Sequence, residues 1–213
     1  MPKAYFPILF IVIAAIELFV IQYDLPYRAI TKPLIVISLI AYYIGQMSAA
    51  WSRTDTLFLA ALFFALGGDI LLLWDELFVF GLGSFLIMQL LYILAFKRGT
   101  NYYGSREFIY AGILIFFVVL IISQLWSELG SMTLAVLIYS LAICFMSWTA
   151  WTRDFTRAGY RLIWIGTVFF IVSDMSIALQ TFGGMNLGKL TVMSTYAIAQ
   201  LLIVLGFVSY RQA

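Results

Sequence analysis

The chain has 213 residues, 64% of them hydrophobic and only 10% charged, with a formal net charge of +2 and a mean hydropathy of +1.05. A soluble domain is about half apolar and a quarter charged, so this composition excludes one and predicts an all-α, multi-pass membrane protein. No Lys/Arg run suggests a nucleic-acid partner, and the complete absence of His excludes Ser–His and Cys–His nucleophile systems and zinc held by imidazoles.

A spanning helix needs about 20 mostly apolar residues. Eight segments qualify in chain order, at residues 5–22, 33–51, 56–74, 77–96, 108–126, 132–151, 160–182 and 190–210. The first carries Glu17, and no small-residue cleavage site follows it, so it is expected to remain as a helix. Lys32 and Pro33 open the second, with Pro33 expected in the first turn and Lys32 at the membrane surface. Asp69 lies in the third, after Gly67 and Gly68, two residues that would let another backbone approach. The fourth carries Gln89 and Tyr92. The sixth holds the lone Cys144, which reads as core packing and excludes an intramolecular disulfide. Asp174 lies in the seventh, after Ser173, a ready hydrogen-bond donor. Tyr196 and Gln200, one turn apart, lie on the eighth.

The connections are short and polar, so neighbouring helices should pack antiparallel as one domain over residues 1–213. Helices 3–4 and 7–8 each present an acid and then a Gln, which raises a weak four-plus-four pseudo-repeat over 1–98 and 106–211. Trp51, Trp74, Trp126 and Trp151 fall near helix ends, as an interfacial aromatic belt predicts. With the N-terminus inside, nine basic residues are cytoplasmic (Lys3, Arg53, Lys97, Arg98, Arg106, Arg153, Arg157, Arg161 and Arg211). Three are outside (Arg28, Lys32 and Lys189). The asymmetry predicts both termini in the cytoplasm, and the expected location is a bacterial inner (cytoplasmic) membrane.

A carboxylate deep in a bilayer costs several kcal/mol, roughly, and persists where it faces a bundle interior with a task. At 1.5 Å per residue, Glu17, Asp69 and Asp174 each lie about 20 Å up parallel helices. Their common depth predicts one polar pocket in the outer half of the membrane. A lone buried Asp is often a structural clamp; two at one level, with Glu17 beside them, point to a site. Lys32 reads as a cation that pairs with one of them or meets a lipid phosphate. Gln89, Tyr92, Tyr196 and Gln200 read as interhelical hydrogen-bonding groups.

Several segments together resemble the lysoplasmalogenase-like (YhhN-like) multi-pass membrane proteins. They are TKPL at Thr31–Leu34, GGDILLL around Asp69, FGLGSFLIMQLLYILAF at Phe80–Phe96, SDMSIAL around Asp174, and TYAIAQLLI around Tyr196 and Gln200. Members commonly carry a His in helix 4 where this chain has Gln89. The resemblance implies hydrolysis of the vinyl ether of a lysoplasmalogen taken from the bilayer. The products would be a fatty aldehyde and a glycerophosphoethanolamine or glycerophosphocholine.

That chemistry suits carboxyl groups. Protonation of the vinyl carbon is the hard step and gives an oxocarbenium ion, as in glycosidases, where one carboxyl is neutral and one charged. Neither a metal nor an organic cofactor is required. Asp69 and Asp174 are the expected catalytic pair. Glu17, Lys32, Gln89, Tyr92, Ser173, Tyr196 and Gln200 are expected to support them or bind substrate. Asp69, with fewer donors in its flanks, is the expected proton donor. Two rival readings use the same aspartates. An intramembrane aspartyl protease would need Gly where Leu66 stands, and no PAL motif is present. A proton- or cation-coupled transporter, or a lipid-binding protein without catalysis, would use the acids as a coupling or polar site.

Overall fold

The computed structural model describes residues 5–47, 51–97, 103–153, 157–185 and 187–212. Among them are eight α-helices and no strand: α1 (Phe6–Gln22), α2 (Arg28–Gln46), α3 (Arg53–Leu71), α4 (Phe78–Phe96), α5 (Ser105–Leu129), α6 (Thr133–Trp151), α7 (Ala158–Thr181) and α8 (Lys189–Gln212). Short 3₁₀ turns at Asp75–Leu77 and Gly130–Met132 join α3 to α4 and α5 to α6. Six helical stretches are long and apolar enough to cross a membrane; α5, its turn and α6 form one of them, and α1, at 17 residues, falls short. The chain is thus an all-helical protein of membrane-spanning character. Lys3 and Arg98, two of the charges counted for orientation, lie outside the described residues.

Several helices start earlier than hydropathy suggests, α2 and α3 among them. The Ser52 hydroxyl accepts the Asp55 N–H, and the Asp55 carboxylate accepts the Ser52 N–H at 2.7 Å. This capping box starts α3 at Arg53. α2 starts at Arg28, so Pro33 lies inside the helix rather than in its first turn. There it removes one backbone hydrogen bond, and Lys32 is correspondingly carried inward, to 7% exposure.

α7 and α8 pack most closely, through glycine. A Cβ on Gly206 would lie 2.5 Å from the Gly159 carbonyl oxygen, and one on Gly166 would lie 2.8 Å from that of Ala199. Gly67 and Gly68 behave differently from expectation: they admit side chains, not backbone. Phe85 of α4 lays its ring against Gly68, and the Ser84 hydroxyl sits over Gly67. The centre of the bundle is aromatic, with Phe58 of α3 stacked on Phe207 of α8 at 3.9 Å and Tyr92 of α4 beside them.

One end of the bundle is tied by buried charge. Asp55 is fully buried and accepts bonds from Arg211 at 2.6 Å and from the Tyr43 hydroxyl at 3.0 Å. Arg153, also buried, donates to the Phe96 carbonyl and to the Tyr160 hydroxyl. α5 is the peripheral helix: it buries only Leu114, Ile122, Leu125 and Leu129 and packs chiefly on α6.

Candidate active site

The site lies at the opposite end, where α1, α3 and α7 finish and α2, α6 and α8 begin. A line of buried polar groups crosses it. Glu17 of α1 is fully buried and accepts bonds from Arg28, at 3.3 Å, and from Thr31, both on α2. One residue on, Lys32 places its ammonium 3.8 Å from the Asp69 carboxylate of α3. The Tyr196 hydroxyl of α8 donates to Asp69 at 2.8 Å. One turn along α8, the Gln200 amide donates to the Tyr196 hydroxyl at 3.4 Å and accepts from Tyr92 of α4 at 3.1 Å. Glu17, Lys32, Tyr92, Tyr196 and Gln200 thus form one interhelical network around Asp69. Asp69 is 1% exposed, with a lysine beside one carboxylate oxygen and a hydrogen bond on the other.

Asp174 stands apart from this network. Among the described residues its carboxylate accepts a side-chain hydrogen bond from the Tyr139 hydroxyl of α6 at 2.5 Å. Both residues line a cavity of about 420 Å³ between α4, α5, α6 and α7, within the range of roughly 300–1,000 Å³ typical of ligand pockets. Its walls are almost wholly apolar, with Phe85, Leu114, Phe117, Ile143, Val168 and Ile171 among them. Asp174 is partly exposed to this space, whereas Asp69 is not among its lining residues. Phe85 touches both regions: it lines the cavity and packs edge-on against Tyr196, centroids 5.9 Å apart.

The two aspartates therefore reach one end of the bundle but have separate surroundings. No hydrogen bond or ion pair joins them among the described residues. Ser173 turns away from Asp174 and donates to the Val192 carbonyl at 3.1 Å. The balance of donors is also the reverse of the sequence expectation: Asp69 has Tyr196 and Lys32, Asp174 has Tyr139 alone. Gln89 is fully buried, and its amide lies beside the Tyr139 hydroxyl outside good hydrogen-bond geometry, both polar atoms unpaired. Among the described residues no three acidic or Cys side chains gather as a metal cradle would require.

Tyr139 is the candidate site residue that sequence reasoning missed. It is one of 13 tyrosines, in a helix without an acid, so nothing local marks it. The only available signal was its neighbour Ser140, a second polar side chain within a long apolar run; Ser140 also lines the cavity.

The chain is thus an all-helical protein of membrane-spanning character with a carboxylate opening into an apolar cavity. The model of the YhhN family matches residues 27–207, and the chain belongs to that family. Among curated proteins it is similar to "Lysoplasmalogenase TMEM86A" of Bos taurus, 32% identical over 189 residues, 82% of this chain and 73% of that protein. The Homo sapiens protein of the same name is 31% identical over 183 residues, with the same coverage of each. "Lysoplasmalogenase TMEM86B" of Sus scrofa is 33% identical over 140 residues, 65% of this chain and 58% of that protein. The chain thus spans just over half the length of the pig protein. No solved structure matches it.

Proposed function

We propose that this protein hydrolyses the vinyl ether of a lysoplasmalogen, with Asp174 as the acid. Membership of a family whose similar relatives are named lysoplasmalogenases supports the reaction. The observation that carries the residue assignment is that Asp174, not Asp69, opens into the apolar cavity.

Asp174 gives its proton to the vinyl carbon remote from the ether oxygen, and the adjacent carbon becomes part of an oxocarbenium ion. The resulting carboxylate stabilises that cation at close range, in surroundings of low polarity where charge interactions are strong. Water then adds to the oxocarbenium carbon and returns a proton to Asp174. The hemiacetal collapses, its hydroxyl proton passing to the departing glyceryl oxygen, and the aldehyde is released. One water is consumed and Asp174 ends as it began. Tyr139 orients the carboxyl through its 2.5 Å bond. In this scheme one carboxyl acts in both steps. Asp69, held by Lys32 and Tyr196, positions α2, α3 and α8 around Phe85 rather than acting on substrate.

The accompanying topology is eight crossings with both termini cytoplasmic and the site in the outer half of the membrane, supported by the distribution of basic residues. The test is direct: purified protein is incubated with lysoplasmalogen and free aldehyde is measured. Aldehyde release lost in Asp174→Asn supports the reading. Uptake of a cation into proteoliposomes, with no aldehyde, would replace it with a transporter.

A further inference from the structure

The cavity has direction. Asp174 and Tyr139 mark one level of it. On α7 its wall runs back to Trp164, ten residues before Asp174, which is about 15 Å at 1.5 Å per residue. At that depth Tyr110 of α5 meets Trp164 with ring centroids 6.1 Å apart. Trp151 of α6 lies 4.9 Å from each of them. Tyr110 and Trp164 line the cavity here and form its floor, with Trp151 packed against both. The floor is braced from behind, because the Tyr110 and Ser147 hydroxyls are bonded at 2.7 Å and Thr167 donates to Ser147 at 2.9 Å. Between floor and carboxyl the wall presents Leu114, Ile143, Val168 and Ile171 and no charge.

From this geometry we infer that the Tyr110–Trp164 floor, backed by Trp151, is a chain-length ruler, setting the longest single aliphatic chain that can lie in the cavity with its vinyl ether at Asp174. The inference rests on the proposed reaction for the position of the vinyl ether. The stretch of about 15 Å from floor to carboxyl is half the hydrocarbon core of a bilayer, so that part of the cavity matches the span of one lipid chain in one leaflet, and the lining continues past Asp174 to Ala178 and Phe182. Selection by length must here be steric. A chain in the bilayer is already out of water, so each further methylene gains little by entering the cavity. A chain too long for the floor must instead lift its vinyl ether past the carboxyl, and even a 1 Å misplacement of reacting atoms can cost about a hundredfold in rate.

Two variants move the floor in opposite directions. Trp164→Ala removes part of it, whereas Val168→Phe raises it by one helical turn, about 5 Å. Aldehyde release is measured from lysoplasmalogens of graded chain length. In parallel, native mass spectrometry measures binding of non-cleavable saturated lysophospholipids of the same lengths. Wild type is expected to show a sharp upper limit. Trp164→Ala should shift it to longer chains, and Val168→Phe should shift it to shorter ones by about 5 Å of chain. Aldehyde release with one common limit in wild type and a folded variant would overturn the ruler and leave the reaction standing. Binding limits that shift as described, without aldehyde from any protein, would keep the ruler and overturn the reaction. If one variant fails to fold, the other decides, since one removes volume and the other adds it.

Discussion

Asp69 and Asp174 occupy the same end of one bundle, each inside an apolar helix, yet their neighbourhoods have little in common. Asp69 is enclosed, with a lysine 3.8 Å away and a tyrosine hydroxyl at 2.8 Å. Asp174 has a tyrosine at 2.5 Å and an open apolar space. A buried charge that is paired and hydrogen-bonded has part of its desolvation cost offset and resists change. A carboxyl facing an apolar cavity has few competing partners and can exchange its proton with a bound molecule. The difference teaches that depth in the membrane does not identify a catalytic acid; access to substrate does.

That contrast can be broken most severely at Asp174. Asp174→Asn should lower aldehyde release by roughly a hundred- to ten-thousand-fold, the usual worth of general acid–base catalysis, with little change in melting temperature. Lys32→Met acts on the other side. It strands Asp69 as a buried unpaired charge and should destabilise the fold by about 3–5 kcal/mol, read by thermal unfolding in detergent. Adding Asp69→Asn to Lys32→Met should restore most of that loss, because it removes the charge that was stranded.

The two tyrosines sharpen the comparison with smaller effects. Tyr139→Phe should slow the reaction by about tenfold, the equivalent of one hydrogen bond of roughly 1.4 kcal/mol, and barely alter stability. Tyr196→Phe should show the converse, a stability loss of about 1 kcal/mol with a smaller kinetic effect. Gln89→Leu should do least. Its amide lies beside the Tyr139 hydroxyl without a hydrogen bond of good geometry, so melting temperature should stay level or rise slightly.

The helices were legible because apolar runs of membrane length are hard to mistake. The aspartates were legible because a carboxylate inside such a run is costly and therefore conspicuous. Their partners were less so. Lys32 read as a surface residue because Pro33 suggested a helix start, whereas Arg28 begins the helix and draws Lys32 inside. Asp55 falls in the connection between the second and third apolar segments, although Ser52 three residues earlier carries the capping signature. Its burial depends on Arg211, 156 residues away, a pairing no local pattern reports. Division of the acids between a packed network and a cavity depends on how α5 stands off from α4 and α7. Hydropathy is silent on such packing.

The central claim is that the cavity carboxyl does the chemistry and the enclosed one holds the bundle together. Its most direct test compares aldehyde release by Asp174→Asn with that by the Lys32→Met/Asp69→Asn double variant, at equal concentrations of folded protein. The account predicts that the first is inactive and the second keeps a substantial fraction of wild-type activity. An active Asp174→Asn protein beside an inactive double variant would contradict it.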